Sequence, residues 1–173
     1  MRKYQLSVII LASLTLASLC LAQSSQDRKD RSASTGSHTA HVVLTPDEVK
    51  WGPAPPSLPP GAQLAVLEGD VSKAGVPFTI RAKFPDGYRV PPHWHPTDER
   101  IVVLQGALGM GVGEKFNQAT GHELPVGSYS LMPSGVRHFV WVRGETVIQV
   151  SGMGPFEINY VNPADDPRKV SKE

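Results

Sequence analysis

The segment GYRVPPHWHPTDERIVVLQG, residues 87–106, places two histidines and an acidic residue at close spacing. His93 and His95 lie two residues apart, so on a β-strand their side chains would point to the same face. The residues 96–98 that follow (Pro-Thr-Asp) can turn the chain, and Glu99 then begins a new strand. A hairpin of this kind would bring the carboxylate of Glu99 back beside the two imidazoles.

A third histidine, His138, ends a later segment, GSYSLMPSGVRH, residues 127–138. His138 lies at the start of another strand-like run, and it can reach the first two histidines only from the other side of a closed sheet. Three imidazoles and one carboxylate form a plausible site for a divalent transition metal, and these ligands suit Mn, Fe, Co, Ni, Cu or Zn without choosing among them.

The sequence around these segments is divided into short runs of strand length, bounded by Gly, Pro, Asp or Asn. In the run 76–84, apolar residues alternate with polar ones, which is typical of a half-buried antiparallel strand. The 16 glycines and 16 prolines indicate many turns and few long helices. The pattern therefore predicts an all-β sandwich or barrel.

Three features are predicted before these strands. HVVLT, residues 41–45, predicts a short strand. A Thr-Pro-Asp-Glu sequence at 45–48 combines a helix cap, Pro at the first helical position and Glu three residues after the cap, and predicts one or two helical turns ending near Trp51. The Pro-rich stretch 52–61 is predicted to be an extended surface segment.

The two histidine segments resemble the two motifs of the cupin superfamily. Residues 87–106 fit the first motif, Gly, five residues, His-x-His, three residues, Glu, six residues, Gly. Residues 127–138 fit the second motif, Gly, five residues, Pro-x-Gly, two residues, His. The Asn that ends the second motif in cupins would fall at Val142. That position is not a metal ligand in cupins, so the departure bears on local packing and not on the site.

The resemblance implies a specific all-β fold, the double-stranded β-helix or jelly-roll barrel, here preceded by a short N-terminal helical turn. It also implies one divalent metal ion inside the mouth of the barrel, and small cupins often form homodimers. The metal ligands that the motifs imply are His93, His95, Glu99 and His138.

The chain termini differ in composition from the centre. Arg2 and Lys3 precede an uncharged run from Leu6 to Leu21, which is the layout of a secretory signal peptide. The run is short for a membrane span, which needs about 20 apolar residues, so an uncleaved membrane anchor is the less favoured alternative. The predicted domains are a signal peptide at 1–22, a flexible polar spacer at 23–39, a cupin β-barrel at 40–164 and a polar C-terminal tail at 165–173. The mature protein is therefore predicted to be periplasmic or extracellular.

Composition excludes several function classes. Cys20 is the only cysteine and lies in the predicted signal peptide, so the mature chain would have no thiolate ligand, cysteine nucleophile or disulfide. The leader holds two of the 17 basic residues and none of the 16 acidic ones, which gives the mature chain a net charge of −1. Nothing in this balance favours nucleic acid, or a membrane after signal removal, as a partner.

The residues in phase with the predicted ligands are apolar, namely Ile101, Val103, Val140 and Val142. A site without a second acid or base is a poor fit for general acid–base catalysis. Such a site fits metal-centred oxidation better. The first hypothesis is therefore a metal-dependent oxygenase, specifically a dioxygenase, that acts on a small apolar or aromatic substrate. Three alternatives remain open: a non-catalytic cupin that binds metal or a small ligand, a cupin whose metal only stabilises the barrel, and a metal-dependent isomerase or decarboxylase.

Overall fold

The computed structural model describes residues 41–169. Contacts divide the chain into two units, Met1–His41 and Val42–Glu173. Of the first unit only His41 is described, and it is exposed. The predicted signal peptide and the whole of the predicted spacer lie outside the described residues and stay predictions. Within the described part of the chain, no helix is long and apolar enough to cross a membrane.

The second unit is built from nine β-strands and three single turns of 3-10 helix among its described residues. The strands are β1 (Gly52–Pro53), β2 (Gln63–Gly69), β3 (Pro77–Phe84), β4 (Arg89–Trp94), β5 (Glu99–Val112), β6 (His122–Pro125), β7 (Tyr129–Met132), β8 (His138–Met153) and β9 (Asn159–Tyr160). The 3-10 turns are Pro46–Glu48, Gln118–Thr120 and Pro163–Asp165.

Two long antiparallel strands, β5 and β8, pair with each other along most of their length, from Arg100 opposite Ser151 to Val112 opposite His138. Each long strand has different outer neighbours at its two ends. The C-terminal part of β8 pairs with β3 and its N-terminal part pairs with β4, while β5 pairs first with β7 and then with β6. The sheet is thereby bent into two layers that share β5 and β8.

Glycines allow the bend. Gly106 and Gly144 have φ of 72° and 69°, in the left-handed region that a residue with Cβ rarely adopts. The β5–β8 register shifts on both sides of Gln105, next to the first of these glycines. The buried Thr146 hydroxyl joins the strands at this point, since it donates to the Ala107 carbonyl and accepts from the Ala107 amide, both at 3.3 Å.

The core lies between the two layers. One layer contributes Ile80, Ala82, Ile101, Ile148 and Val150, and the other contributes Val90, Leu108, Met110, Val140 and Val142. All are buried, and together they form one continuous apolar cluster. The predicted all-β jelly-roll fold is therefore confirmed.

Local predictions near the N-terminus were partly wrong. Residues 41–45 form no strand, and the side chains of Val42, Val43 and Leu44 are exposed. These residues pair with no strand, so they do not form one in spite of their β propensity. The predicted helical turn is present at Pro46–Glu48, but it is a single 3-10 turn, in which the Glu48 carboxylate accepts from the amide and the hydroxyl of Thr45 at 2.7 and 2.8 Å.

Candidate metal centre

The four predicted site residues come from three strands and one turn. His93 lies on β4, His95 lies just after its end, Glu99 begins β5 and His138 begins β8. His93 and His138 are direct partners in the β4–β8 pairing, so their side chains leave the sheet on the same face. All four residues are buried, with His138 completely so.

The three imidazoles converge. One ring nitrogen from each of His93, His95 and His138 lies within 4.8 Å of the others. The ring centroids are separated by 4.2 Å between His93 and His138 and by about 5 Å in the other two pairs. The carboxylate of Glu99 lies beside them, with its Oε2 3.6 Å from Nε2 of His95 and 3.5 Å from Nε2 of His138.

Backbone carbonyls set the tautomer of each imidazole. The Nδ1–H groups of His93, His95 and His138 donate to the carbonyl oxygens of Pro91, Glu157 and Val136, at 2.8, 2.7 and 3.0 Å respectively. A carbonyl only accepts, so each Nδ1 must carry the proton. When the ring is neutral, each Nε2 then presents a lone pair, which is how histidines that bind metal are commonly oriented.

Burial favours this neutral state. Burial, followed by the charges of His138 and His95, lowers the pKa of His93 to about 3. Burial also lowers the pKa of His95, against the opposing influence of Glu99. For Glu99, burial acts to raise the pKa, but contact with His138 and the charges of the three histidines outweigh it, and the pKa is lowered. At neutral pH the imidazoles of His93 and His95 are therefore neutral and lie beside an ionised Glu99 carboxylate.

This combination leaves lone pairs facing one another without a proton between them. Nε2 of His95 and of His138 are buried and have no hydrogen-bond partner, although the Glu99 carboxylate is only about 3.5 Å away. An unpaired buried polar atom normally costs about 1–3 kcal/mol. A cation at the point of convergence would satisfy these atoms together. The donor set thus fits a divalent transition metal, and the three buried histidines could hold one.

The convergence that the motif spacing predicted is present, while metal binding by these four residues stays a prediction. The predicted apolar surroundings are present in part, since Ile101 and Val140 line a cavity at the site, whereas Val103 and Val142 are buried in the core and are not among its lining residues. A cavity of about 60 Å³ adjoins His93, His95 and Glu99. Its remaining lining is apolar, formed by Leu58, Ala82, Phe84, Val90, Ile101, Val140, Ile148, Val150, Phe156 and Ile158.

Two covering segments were not predicted from the sequence. Phe156 stacks on the ring of His95, with centroids 4.3 Å apart, and the next residue, Glu157, supplies the carbonyl that orients that ring. The run 156–161 had the apolar alternation of a strand, which is the one signal that Phe156 and Ile158 share an inward face. Only Asn159–Tyr160 of that run form a strand.

The second covering segment is the Pro-rich stretch. Leu58 lines the metal-site cavity, so the prediction of a purely surface segment was wrong at this residue. Two tyrosines hold the segment in place, since the hydroxyls of Tyr160 and Tyr88 donate to the carbonyls of Ser57 and Pro59. These contacts join residues far apart in the chain, and no local pattern reveals them.

The other histidines and Asp98 lie elsewhere. His41 and His122 are exposed, and His38 lies outside the described residues. The Asp98 side chain is partly exposed and joins the two motif loops, because its Oδ1 accepts from the Ser134 amide at 3.1 Å. Trp141 packs on the opposite face of β8 from His138, beside Phe139.

A family model described as a domain of unknown function, DUF4437, matches residues 22–159. The chain belongs to the DUF4437 family. No functionally curated protein matches the sequence. The match therefore establishes the family of this DUF4437 protein but not its activity.

Solved structures identify the fold. An RmlC-like cupin from Shewanella frigidimarina NCIMB 400 is similar, with 13% identity over 66% of this chain and 91% of its own, and a TM-score of 0.52. The polyketide cyclase RemF from Streptomyces resistomycificus has 19% identity over 73% of this chain and 89% of its own, with a TM-score of 0.57. An acetylacetone dioxygenase from Acinetobacter johnsonii has 20% identity over 76% of this chain and 85% of its own, with a TM-score of 0.55.

These similarities confirm the resemblance: the DUF4437 chain has the cupin fold. At such low identity they show the fold alone. A cyclase and a dioxygenase share it, so the fold does not decide the reaction.

Proposed function

We propose that this protein is an exported, metal-dependent oxygenase that acts on a small apolar or aromatic substrate. The observation that carries the proposal is the convergence of three lone-pair nitrogens and one carboxylate at an apolar cavity. In this proposal His93, His95, Glu99 and His138 are the metal ligands.

The bound metal would supply Lewis acidity and open coordination positions for small oxygen-containing molecules. The chain's own residues prepare those positions. The backbone carbonyls keep each Nδ1 protonated, so each Nε2 stays directed at the centre. Leu58, Phe156 and Ile158 line the cavity with apolar groups.

The cavity lining favours oxidation over isomerisation or decarboxylation. Its only ionisable side chains are those of His93, His95 and Glu99, which the proposal assigns to the metal. No further acid or base among the lining residues is left to move a proton. The similarity in fold to an acetylacetone dioxygenase supports the same choice and suggests small β-diketones as the first substrates to test.

Oxygen uptake tests the proposal. The purified protein would be stripped with a chelator, reloaded separately with Fe, Mn, Co, Ni, Cu or Zn, and assayed with acetylacetone and a panel of small phenols. We expect metal-dependent oxygen consumption with at least one substrate, and loss of that consumption in His138→Ala. If the protein binds one metal ion per chain but consumes no oxygen with any metal across the panel, the oxygenase proposal is wrong, and a non-catalytic metal-binding cupin or a metal-dependent isomerase or decarboxylase takes its place.

Export is a separate part of the proposal, supported by the basic start and uncharged run of residues 1–22. Mass spectrometry of the protein from its native compartment should give a mature chain that begins at Gln23. Recovery of the full-length chain from the cytoplasm would contradict export without affecting the metal site.

A further inference from the structure

The metal-site cavity is much smaller than the substrate pockets of most enzymes. Its volume is only about 60 Å³. Pockets for small molecules typically measure about 300–1,000 Å³. A carbonyl head fits beside the metal site, but the rest of a substrate needs other space.

A larger cleft of about 410 Å³ opens between the edge strands β6 and β7. It is lined by Met110, Gly111, Val112, Thr120, His122, Leu124, Ser130, Leu131, Met132, Pro133 and Val136. The lining contains no Asp, Glu, Lys or Arg, and His122 is its only titratable side chain. The cleft therefore suits an uncharged, apolar group.

Three cross-strand pairs connect the cleft to the metal-site cavity. Met110 is the partner of Val140, Ser130 is the partner of Ile101 and Met132 is the partner of Glu99. In each pair the first residue lines the cleft and the second lines the cavity. Direct partners in an antiparallel sheet project from the same face, so in each pair the residue that lines the cleft lies beside one that lines the cavity.

Flexible side chains form the wall between the two spaces. Met110 and Met132 are both buried, and the Ser130 hydroxyl donates to Sδ of Met110 at 3.5 Å. Methionine has an unbranched side chain that adapts its shape at low cost. Val136 also lines the cleft, and its carbonyl orients the ring of His138.

We propose that this cleft binds the apolar tail of the substrate while an oxygen-bearing head reaches the metal site past Met110 and Met132. The substrate class is then an uncharged molecule with a β-dicarbonyl-like head and an alkyl or aryl tail. This inference rests on the proposed function for the role of the head, and it makes Met110, Met132 and Val112 residues that determine specificity.

A binding experiment tests the cleft without requiring turnover. The protein loaded with Zn, which does not support oxygen chemistry, is titrated calorimetrically with acetylacetone and with benzoylacetone, which carries a phenyl group in place of one methyl. Val112→Trp would fill the cleft from its exposed side, since Val112 is 65% exposed. Val126→Trp is the matched control, because Val126 is 61% exposed and does not line the cleft.

We expect Val112→Trp to weaken benzoylacetone binding about tenfold or more, since the phenyl group would lose its apolar contacts. Acetylacetone binding and Zn content should stay unchanged, and Val126→Trp should match the wild type with both ligands. As a second variant, Met132→Ala should widen the passage and strengthen benzoylacetone binding relative to acetylacetone.

Several results would overturn the inference: no benzoylacetone binding to the wild type, an equal effect of Val112→Trp on both diketones, or an equal effect of Val126→Trp. The oxygenase proposal fails separately. If the Fe, Mn, Co, Ni and Cu forms consume no oxygen while benzoylacetone binding stays sensitive to Val112→Trp, the cleft is confirmed and the reaction is wrong.

Discussion

The two faces of the first half of β8 serve different purposes. On the inner face, the side chain of His138 points into the metal site and that of Val140 lines its cavity. On the outer face, Phe139 and Trp141 pack against Phe116 from the connection between β5 and β6. The inner face keeps polar atoms without partners, while the outer face is filled with aromatic rings.

The two faces differ in the free volume that they leave for an added group. A Cβ added at Gly109 would lie only 1.8 Å from the ring of Trp141, so the outer face has no spare volume. The inner face has an open cavity of about 60 Å³ beside its histidines. We therefore expect the inner face to control metal binding and pH response, and the outer face to control stability in a way that does not depend on metal.

The largest effect should come from His95→Gln. Glutamine approximates the volume under Phe156 but removes one converging nitrogen, so Zn affinity should fall by about 100-fold or more. The rise in melting temperature that metal gives the wild type should be lost with it. Calorimetry and thermal melts with and without chelator measure both effects, and His122→Ala is the control because that histidine is exposed. Unchanged Zn affinity in His95→Gln would show that His95 is not a ligand.

The next effect is the pH dependence of the metal-free protein. The pKa of His93 is lowered to about 3 and that of His95 is also lowered, whereas in the unfolded chain both titrate near 6.5. As pH falls below about 6.5, the unfolded state binds more protons than the native state, so the free energy of unfolding decreases until the native histidines also protonate. Glu99 acts in the same direction below its ordinary pKa.

The expected loss is on the order of a few kcal/mol between pH 7 and pH 4. Urea denaturation of chelator-treated protein across this range measures it. His93→Gln should make the free energy of unfolding less dependent on pH. A variant on the outer face should instead change this free energy by the same amount at every pH. A free energy of unfolding that is constant from pH 7 to pH 4 would contradict the neutral, buried state of the histidines.

Gly109→Ala tests the outer face. The added methyl group would overlap the ring of Trp141, which is buried, and overpacking of this kind costs about 1–3 kcal/mol. Because the damage lies away from the metal site, the melting temperature should fall equally with and without Zn. Gly52→Ala is the control, since its nearest contact would be at 4.0 Å. A loss of Zn affinity in Gly109→Ala would show that the two faces are coupled.

The inner face could be predicted from the sequence because part of its geometry is local and the resemblance to the two cupin motifs supplied the rest. The two-residue spacing of His93 and His95 fixes their common face, and the spacing of the motifs places Glu99 and His138 at the starts of strands. The rule that Gly bounds a strand-length run fails at Gly106 and Gly144. In the structure they are bends within β5 and β8, because the partner strand continues past them.

The covers of the site could not be predicted, since they depend on contacts across the whole chain. Leu58 reaches the cavity only because Tyr88 and Tyr160 bind the carbonyls on either side of it. The strand phase of Trp141 indicates only that it faces away from His138. Its fit against Gly109 could not be derived, because it depends on the register between β5 and β8.

The smallest effect should come from the link between the two motif loops. The Asp98 carboxylate accepts from the Ser134 amide, the Ser134 hydroxyl donates to the Pro96 carbonyl at 2.7 Å, and the Gly135 amide donates to the His95 carbonyl at 2.9 Å. Asp98→Ala removes one of these three bonds, so we expect a loss of about 1 kcal/mol in the free energy of unfolding and a decrease of up to about tenfold in Zn affinity.

Two matched variants separate this link from the ion pair that Asp98 also makes with Arg100, at 3.2 Å on the surface. Asp98→Asn keeps an oxygen acceptor for the Ser134 amide and should retain most of the Zn affinity. Arg100→Ala removes only an exposed ion pair, which is worth about 0–1 kcal/mol, and should leave Zn affinity unchanged. If Arg100→Ala weakens Zn binding as much as Asp98→Ala does, the surface charge and not the loop link positions His95. Zn binding on the inner face would then depend on surface residues in spite of its burial.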